Sequence, residues 1–302
     1  MDNNIEAFIK PRKLSEIFKE SLQLPSILYH YTSQTGLIEI VQRKEIWATN
    51  IFYLNDSLEF EYATGLIREV IDDYMTSCCD ELQKLFLKQM NNIASSLTHF
   101  YVYVCSLSEE GDQLSQWRGY CPNGNGFSIG FNTSELSGRM VKYSFGLLQC
   151  LYDKDKQVEI IKQAIDESMS DLPSNLDKSD ADTFKNSINE IAYKVVLRAS
   201  VYFFPAMARL KHSTFHEEKE WRFVALYSEQ QPLPVYFRKG KSMIIPYIRI
   251  PLTDNQESIN IDRIIIGPTP HHQLAKRAVQ VLMDSNKIKC EIELSKTPYR
   301  MW

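Results

Sequence analysis

Between Lys211 and Val224 the chain reads K-H-S-T-F-H-E-E-K-E-W-R-F-V. Two histidines, three glutamates, two lysines, an arginine and a tryptophan lead into an apolar strand pattern. Taken as a strand from about Glu218, the stretch alternates with period two, as a half-buried strand does. Glu218, Glu220 and Arg222 then share one face, and Trp221, Phe223 and Ala225 the other. One side has apolar surface to bury. The other carries two carboxylates and a guanidinium, which form either a surface ion pair of little energetic weight or a site. Any fold for this chain must bury Trp221 and Phe223 while giving those charges a partner.

The rest of the chain supplies strands and helices in uneven alternation. Strand patterns are expected at Leu28–Tyr31, Ile46–Thr49, Phe100–Ser106, Phe127–Phe131, Met140–Tyr143, Leu147–Tyr152, Val224–Tyr227, Met243–Ile250, Ile261–Ile266 and Ile288–Leu294. Helical patterns are expected over about 14–22, Thr35–Arg43, 56–97 with a break near Ser77-Cys78-Cys79, 154–169, Ala181–Ala208 and Pro270–Ser285. Pro246 inside a strand pattern predicts an edge position. Helices cluster at 56–97 and 154–208, which argues against a doubly wound parallel sheet and for an α+β fold. We expect a single domain over 1–302, with a lead-in at 1–24 and a helical insertion at about 154–208.

Composition narrows the function classes. The formal net charge is -4 and the pI about 5.9, so binding duplex nucleic acid by bulk charge is not expected. Six cysteines are present without a C-x-x-C or zinc-ligand spacing, so reduced thiols and no metal are expected. No apolar run reaches the roughly 20 residues that span a bilayer. The N-terminus, M-D-N-N-I-E-A-F-I-K, has neither a basic nor an apolar signal region, which predicts a cytoplasmic protein with no membrane partner.

Four polar stretches lie at expected strand ends or loops. Tyr29-His30-Tyr31-Thr32-Ser33 ends a strand, where a histidine can hold a hydroxyl or carbonyl. Leu54-Asn55-Asp56-Ser57-Leu58-Glu59 is a turn and helix cap, or a polar wall that orients a ligand. Gln116-Trp117-Arg118-Gly119-Tyr120, before the Pro122–Gly126 turn, places aromatics beside an arginine and suits stacking on a flat ring. The fourth is the Lys211–Val224 stretch itself.

In this order these motifs resemble the bacterial family known as domain of unknown function 2971. Its pattern is carried by N-D-x-x-E at Asn55–Glu59, a C-x-S strand end at Cys105-Ser106-Leu107-Ser108, W-x-x-Y at Trp117–Tyr120, E-x-E-W-R at Glu218–Arg222 and an I-x-x-I-I-I-G type strand over Asp262–Gly267. The resemblance spans roughly residues 28–270. Ser57 stands where the family usually has proline. The family label implies no activity.

More distantly, the order of motifs resembles ADP-ribosyltransferases of the H-Y-E type. That resemblance implies a bent or split antiparallel or mixed sheet with a cleft, and NAD as substrate. His30, with Tyr31 and Thr32, would hold the NAD ribose. Trp117 or Tyr120 would stack on nicotinamide, beside Arg118. Glu220 would hold the ribose 2′-hydroxyl and stabilise the oxocarbenium, and Glu218 would orient the acceptor. Asn55 and Arg222 complete the expected binding set. The implied function is an NAD-consuming transferase or NAD glycohydrolase, as an effector in bacterial anti-phage defence or a toxin system. Two other readings stand beside it: a noncatalytic sensor that binds a nucleotide or a protein, and a metal-dependent hydrolase or nuclease built on Asp56, Glu59, Glu218, Glu220 and the histidines.

Overall fold

The computed structural model describes residues 23–54, 57–77, 80–95, 102–121, 126–170, 172, 203–226, 233–240, 242–254 and 258–298. The expected helix at 14–22 and most of the one at 181–208 lie outside these residues. The elements in order are β1 (Ile27–Ser33), α1 (Gln34–Arg43), β2 (Glu45–Asn50), a 3₁₀ turn (Ile51–Tyr53), α2 (Ser57–Ser77), α3 (Glu81–Ser95) and β3 (Val102–Ser108). Then come α4 (Leu114–Tyr120), β4 (Gly126–Asn132), α5 (Thr133–Val141), β5 (Gly146–Gln149) and α6 (Lys154–Ser170). A 3₁₀ turn (Ser213–Glu218) precedes β6 (Glu220–Leu226), followed by β7 (Val235–Lys239), β8 (Ile244–Pro251), β9 (Arg263–Ile266), α7 (His272–Ser285) and β10 (Glu291–Leu294). The fold is α+β around a mixed, open sheet.

β3 is the centre of that sheet. One edge pairs along its whole length with β6, from Val102↔Leu226 to Ser108↔Glu220. The other edge is divided. β1 meets it at Tyr29↔Ser108, and β2 meets it at Thr49↔Val104 and Asn50↔Tyr103. β1 then continues into β4, β9 and β10, whereas β2 continues into β8 and β7. The sheet thus splits into two blades that diverge from the middle of β3. α1 joins the two blades, and its cap explains its start: Ser33 Oγ accepts from the Gly36 N–H at 3.2 Å.

The alternation at β6 folds as its pattern demands. Trp221, Phe223 and Ala225 pack with Tyr103, Cys105 and Leu107 of β3 into the core beneath α1, α5 and α7. The opposite face carries Val224 and, on β3, Val102 and Val104, which pack under α2, α3, α6 and residues 203–210. Glu220 and Arg222 share the face of Val224, as period two requires. A smaller cluster of Tyr31, Trp117, Cys121 and Ile265 sits between β1, α4 and β9.

Three expectations need correction. The strand pattern at Met140–Tyr143 belongs to the end of α5 and the turn after it; Asn132 caps this helix, its Oδ1 accepting from the Glu135 N–H at 3.2 Å. β8 is not an edge strand, since it pairs with both β2 and β7. Pro246 is tolerated there because pairing with β2 stops at Tyr247, so no ladder partner on that side is missed. β6 begins at Glu220, not Glu218: Lys219 adopts a left-handed conformation (φ 42°, ψ 49°) that ends the 3₁₀ turn.

Phe223 is buried on β6 and Val281 is exposed on α7. Phe223→Ala should lower the unfolding free energy by about 3–5 kcal/mol, and Val281→Ala should change it by no more than about 0.5 kcal/mol. Urea unfolding curves of the two variants check the contrast.

Candidate functional site

Where the blades diverge, a cleft of about 720 Å³ opens between them. That volume lies in the range of roughly 300–1,000 Å³ typical of small-molecule sites. β1 and the start of α1 form one wall, β2 and β7 the other. The middle of β3, Tyr120 of α4, and the residues around β6 close the base. Another concavity runs along α6, but every residue lining it comes from that one helix. It converges no chemistry from separate elements.

The split leaves the edge of β3 without a strand partner near Ser106. His30 fills that role: its Nδ1 lies 3.0 Å from the Ser106 carbonyl oxygen. A carbonyl only accepts, so Nδ1 carries the hydrogen and the neutral ring presents Nε2 as an acceptor. Burial pushes the His30 pKa below its ordinary value, partly opposed by the bond to Ser106, which favours that neutral form. Among the described residues Nε2 has no hydrogen-bond partner. Thus one side chain completes the sheet edge and offers a lone pair to the cleft it lines.

The charged face of β6 is buried, not superficial. Glu220 is 3% exposed and Arg222 2%. Arg222 Nε donates to Glu220 Oε1 at 2.8 Å and Nη2 to Oε2 at 2.9 Å, a two-pronged contact. Nη1 donates to the Ala208 carbonyl at 2.9 Å, and Nη2 reaches Glu59 Oε1 of α2 at 2.5 Å. Lys211 Nζ donates to Glu220 Oε2 and, at 2.6 Å, to Glu218 Oε2. The Glu220 N–H donates to the Tyr152 hydroxyl at 2.8 Å. Three carboxyl groups and two cations therefore form one network at the base of the cleft.

Burial alone would raise the Glu220 pKa, but Arg222 and Lys211 outweigh it and hold the carboxyl far below its usual range. Lys211 shows the converse: burial lowers its pKa, Glu220 raises it, and the net shift is upward. Glu59 is pushed up, mainly by burial, against the opposing pull of Arg222. Tyr120 is pushed well up, by burial first and then by Glu220 and Glu218, so its phenol keeps its proton.

A carboxylate has about four lone-pair sites. Among the described residues Glu220 uses three, and its second site on Oε1 has no partner. Glu218 uses one, and its Oε1 has no partner among the described residues. The Glu218 side chain is also the more accessible, 16% exposed against 4% for Glu220. It occupies the turn before β6, its carbonyl held by the Ser108 hydroxyl at 2.7 Å.

The cleft brings together most of the residues expected from the sequence: His30, Tyr31, Thr32, Tyr120, Glu218, Glu220 and Arg222 all line it. Two depart from expectation, and one lies outside the described residues. Trp117 is not among the lining residues; it is 1% exposed, its indole N–H donates to Asp112 Oδ1 at 2.7 Å, and its ring meets Tyr31 edge-on. Arg118 is exposed and outside the cleft lining. Asn55 lies outside the described residues, as does Asp56. Tyr31 lines the cleft, but its hydroxyl already donates to the Glu110 carbonyl at 2.7 Å and accepts from the Gln113 N–H at 2.9 Å.

Residues 116–223 match the model of a family described as Protein of unknown function (DUF2971). The match covers roughly a third of the chain, from α4 into β6, and includes Tyr120, Lys211, Glu218, Glu220 and Arg222. It supports the family resemblance read from the motifs. No curated protein and no solved structure matches.

Lys211 was not assigned a role from the sequence, and Glu59 was expected only as part of a polar wall or as a carboxylate of the hydrolase reading. Nothing in spacing marks Lys211, which reaches Glu220 across nine positions and a turn. Glu59 had a signal, as the glutamate of N-D-S-L-E. Among the described residues, no group of three or more histidine, cysteine, aspartate or glutamate side chains is arranged to hold a metal ion. The carboxylates Glu59, Glu218 and Glu220 converge on Arg222 and Lys211.

Removing one partner of a buried pair leaves an uncompensated charge, so Arg222→Met should cost about 3–5 kcal/mol in urea unfolding. A loss below about 1 kcal/mol is what a surface pair would give. The pH dependence has a fixed sign. The Glu220 pKa is depressed in the folded protein, so its stabilisation is complete above the ordinary value of 4.5 and declines as pH falls below it. Thermal midpoints of the wild type should drop from pH 5 to pH 3, and those of Glu220→Gln should drop less steeply.

Proposed function

We propose that the cleft binds NAD and breaks its nicotinamide–ribose bond, either transferring ADP-ribose to an acceptor or hydrolysing the dinucleotide. One observation carries the reading. The split in the sheet brings a neutral histidine from the first strand, a tyrosine from a middle helix and an E-x-E from the turn that leads into a late strand to a single cleft. The order along the chain is the one that the H-Y-E resemblance implies, although the tyrosine comes from a helix and Glu218 from a turn.

The chemistry assigned to each residue follows from its remaining hydrogen-bond capacity. His30 Nε2 accepts from a ribose hydroxyl. Tyr120, half-buried and lining the cleft, offers its ring to nicotinamide. In the reaction the C1′–N1 bond breaks and its electron pair leaves with nicotinamide, which becomes neutral. C1′ and the ring oxygen share the resulting positive charge. Three carboxyl groups against two cations leave the network with surplus negative charge when all are ionised, suited to that developing cation. The open site on Glu220 Oε1 accepts from the ribose 2′-hydroxyl. Glu218, more accessible and with Oε1 free, takes the proton of the attacking water or acceptor.

A second reading has its own observation in favour. Glu220 is clamped by three charge-assisted bonds, an arrangement that suits fixed recognition as well as catalysis. Under that reading the cleft is a nucleotide-binding sensor and the dinucleotide leaves intact.

Purified protein incubated with NAD should release nicotinamide, measured by chromatography. Glu218→Gln should lower that rate at least about 100-fold, the lower end of a general base's usual contribution, with the thermal midpoint little changed. NAD that raises the melting temperature but stays whole would select the sensor. Absence of both effects would exclude NAD as the ligand.

A further inference from the structure

The opposite wall of the cleft, formed by β2 and β7 with β8 paired between them, takes no part in the chemistry above, yet it is not featureless. Register fixes which side chains share its face. Trp47 and Thr49 of β2 lie across from Arg249 and Tyr247 of β8, and Tyr247 lies across from Tyr236 of β7. Arg238, two positions along from Tyr236, occupies the same face. The other face of the blade carries Ile46, Ala48, Ile248 and Ile250 into the core.

Arg238 contrasts with the cations at the base of the cleft. Lys211 and Arg222 are each held by two carboxylates. Arg238 has no carboxylate partner among the described residues. Among the described residues its one hydrogen bond is from Nη2 to the Thr49 hydroxyl at 3.2 Å, and its buried Nε has no partner. Burial lowers its pKa, so the cation is partly stripped of water without a counter-charge. Lys239, the next residue, also lines the cleft and is likewise unpaired among the described residues. Trp47 lines the cleft beside them, half-buried and backed by Tyr247, with ring centroids 4.5 Å apart.

We propose that this wall is a nucleoside-phosphate subsite, in which Arg238 and Lys239 hold the phosphates and Trp47 carries the flat base. A guanidinium with free N–H groups, short of water and of counter-charge, is suited to a multiply charged oxyanion that accepts along its fork. An aromatic ring with a firm backing offers a purine a stacking surface. The polarity of the cleft then runs in one direction. Its base has surplus carboxylate and faces the end of the ligand that becomes cationic; its far wall has surplus cation and faces the diphosphate. The inference rests on the preceding reading for the identity of the whole ligand, but it concerns a separate wall and has a separate readout.

Isothermal titration of ADP, with adenosine as the uncharged probe, tests it without any turnover. Wild-type protein should bind ADP. Arg238→Met should raise the Kd for ADP by roughly tenfold or more, the worth of a charge-assisted contact, and leave adenosine binding unchanged. Arg238→Lys keeps the charge and loses the fork, and should fall between the two; it also guards against misfolding of the methionine variant, checked by circular dichroism. No ADP binding by the wild type, or equal ADP affinity in Arg238→Met, would overturn the proposal. The two readings fail separately. Nicotinamide release with an unchanged KM for NAD in Arg238→Met would overturn the subsite and leave the bond-breaking intact. ADP binding that depends on Arg238, with no nicotinamide released, would keep the subsite and contradict the catalysis.

Discussion

The contact on which the site depends is the two-pronged bond between Arg222 and Glu220, buried on β6. Taking two such charges out of water costs several kcal/mol each, roughly, and only full pairing offsets that. The pairing here spans four parts of the chain: Glu59 from α2, the Ala208 carbonyl, Lys211 with Glu218, and the Tyr152 hydroxyl on the Glu220 amide. Each bond fixes a segment relative to the central strands. The helical layer over β6, the turn that presents Glu218 and the base of the cleft thus share one set of constraints. An apolar substitute could hold those segments together equally well. A chain that instead keeps five charged groups at the end of a cleft has its electrostatics in place before any ligand arrives.

The second constraint is the divided edge of β3. A strand edge has N–H and C=O groups that need partners. β1 supplies one at Ser108, β2 supplies others at Val104 and Tyr103, and between them the Ser106 carbonyl would be left exposed. His30 Nδ1 covers it. The same bond sets the ring's tautomer and aims Nε2 away from the sheet. Sheet splitting, cleft formation and the state of the histidine are therefore one geometrical event, and β1 cannot be zipped onto β3 without closing the cleft.

Much of this was legible in the sequence, for reasons that can be named. Period two at Trp221, Phe223 and Ala225 told the core face of β6, and it fixed Arg222 opposite. The H-Y-E resemblance, through the order of His30, Tyr120 and Glu218-x-Glu220, implied one cleft, and these residues do line one. Other features were out of reach. Lys219 takes a left-handed conformation that no pattern announces, so the strand was expected two residues early. Trp117 and Tyr120 look alike as aromatic candidates; what separates them is Asp112, five residues upstream, which takes the indole N–H and seats Trp117 in the core. The end of α5 resembled a short strand because V-K-Y alternates, although Asn132 with Glu135 was the visible start signal of a helix. Lys211 and Arg238 owe their roles to partners, present or lacking, that only the three-dimensional arrangement supplies.

The account stands on His30 being neutral, protonated at Nδ1 and open to ligand at Nε2. Long-range ¹H–¹⁵N NMR of the histidine ring reads all three. At pH 7 the His30 signals should show the Nδ1–H tautomer, and added NAD should move the Nε2 resonance while Nδ1 stays in place. An imidazolium pattern at pH 7, or an Nε2 resonance indifferent to saturating NAD, would contradict the account.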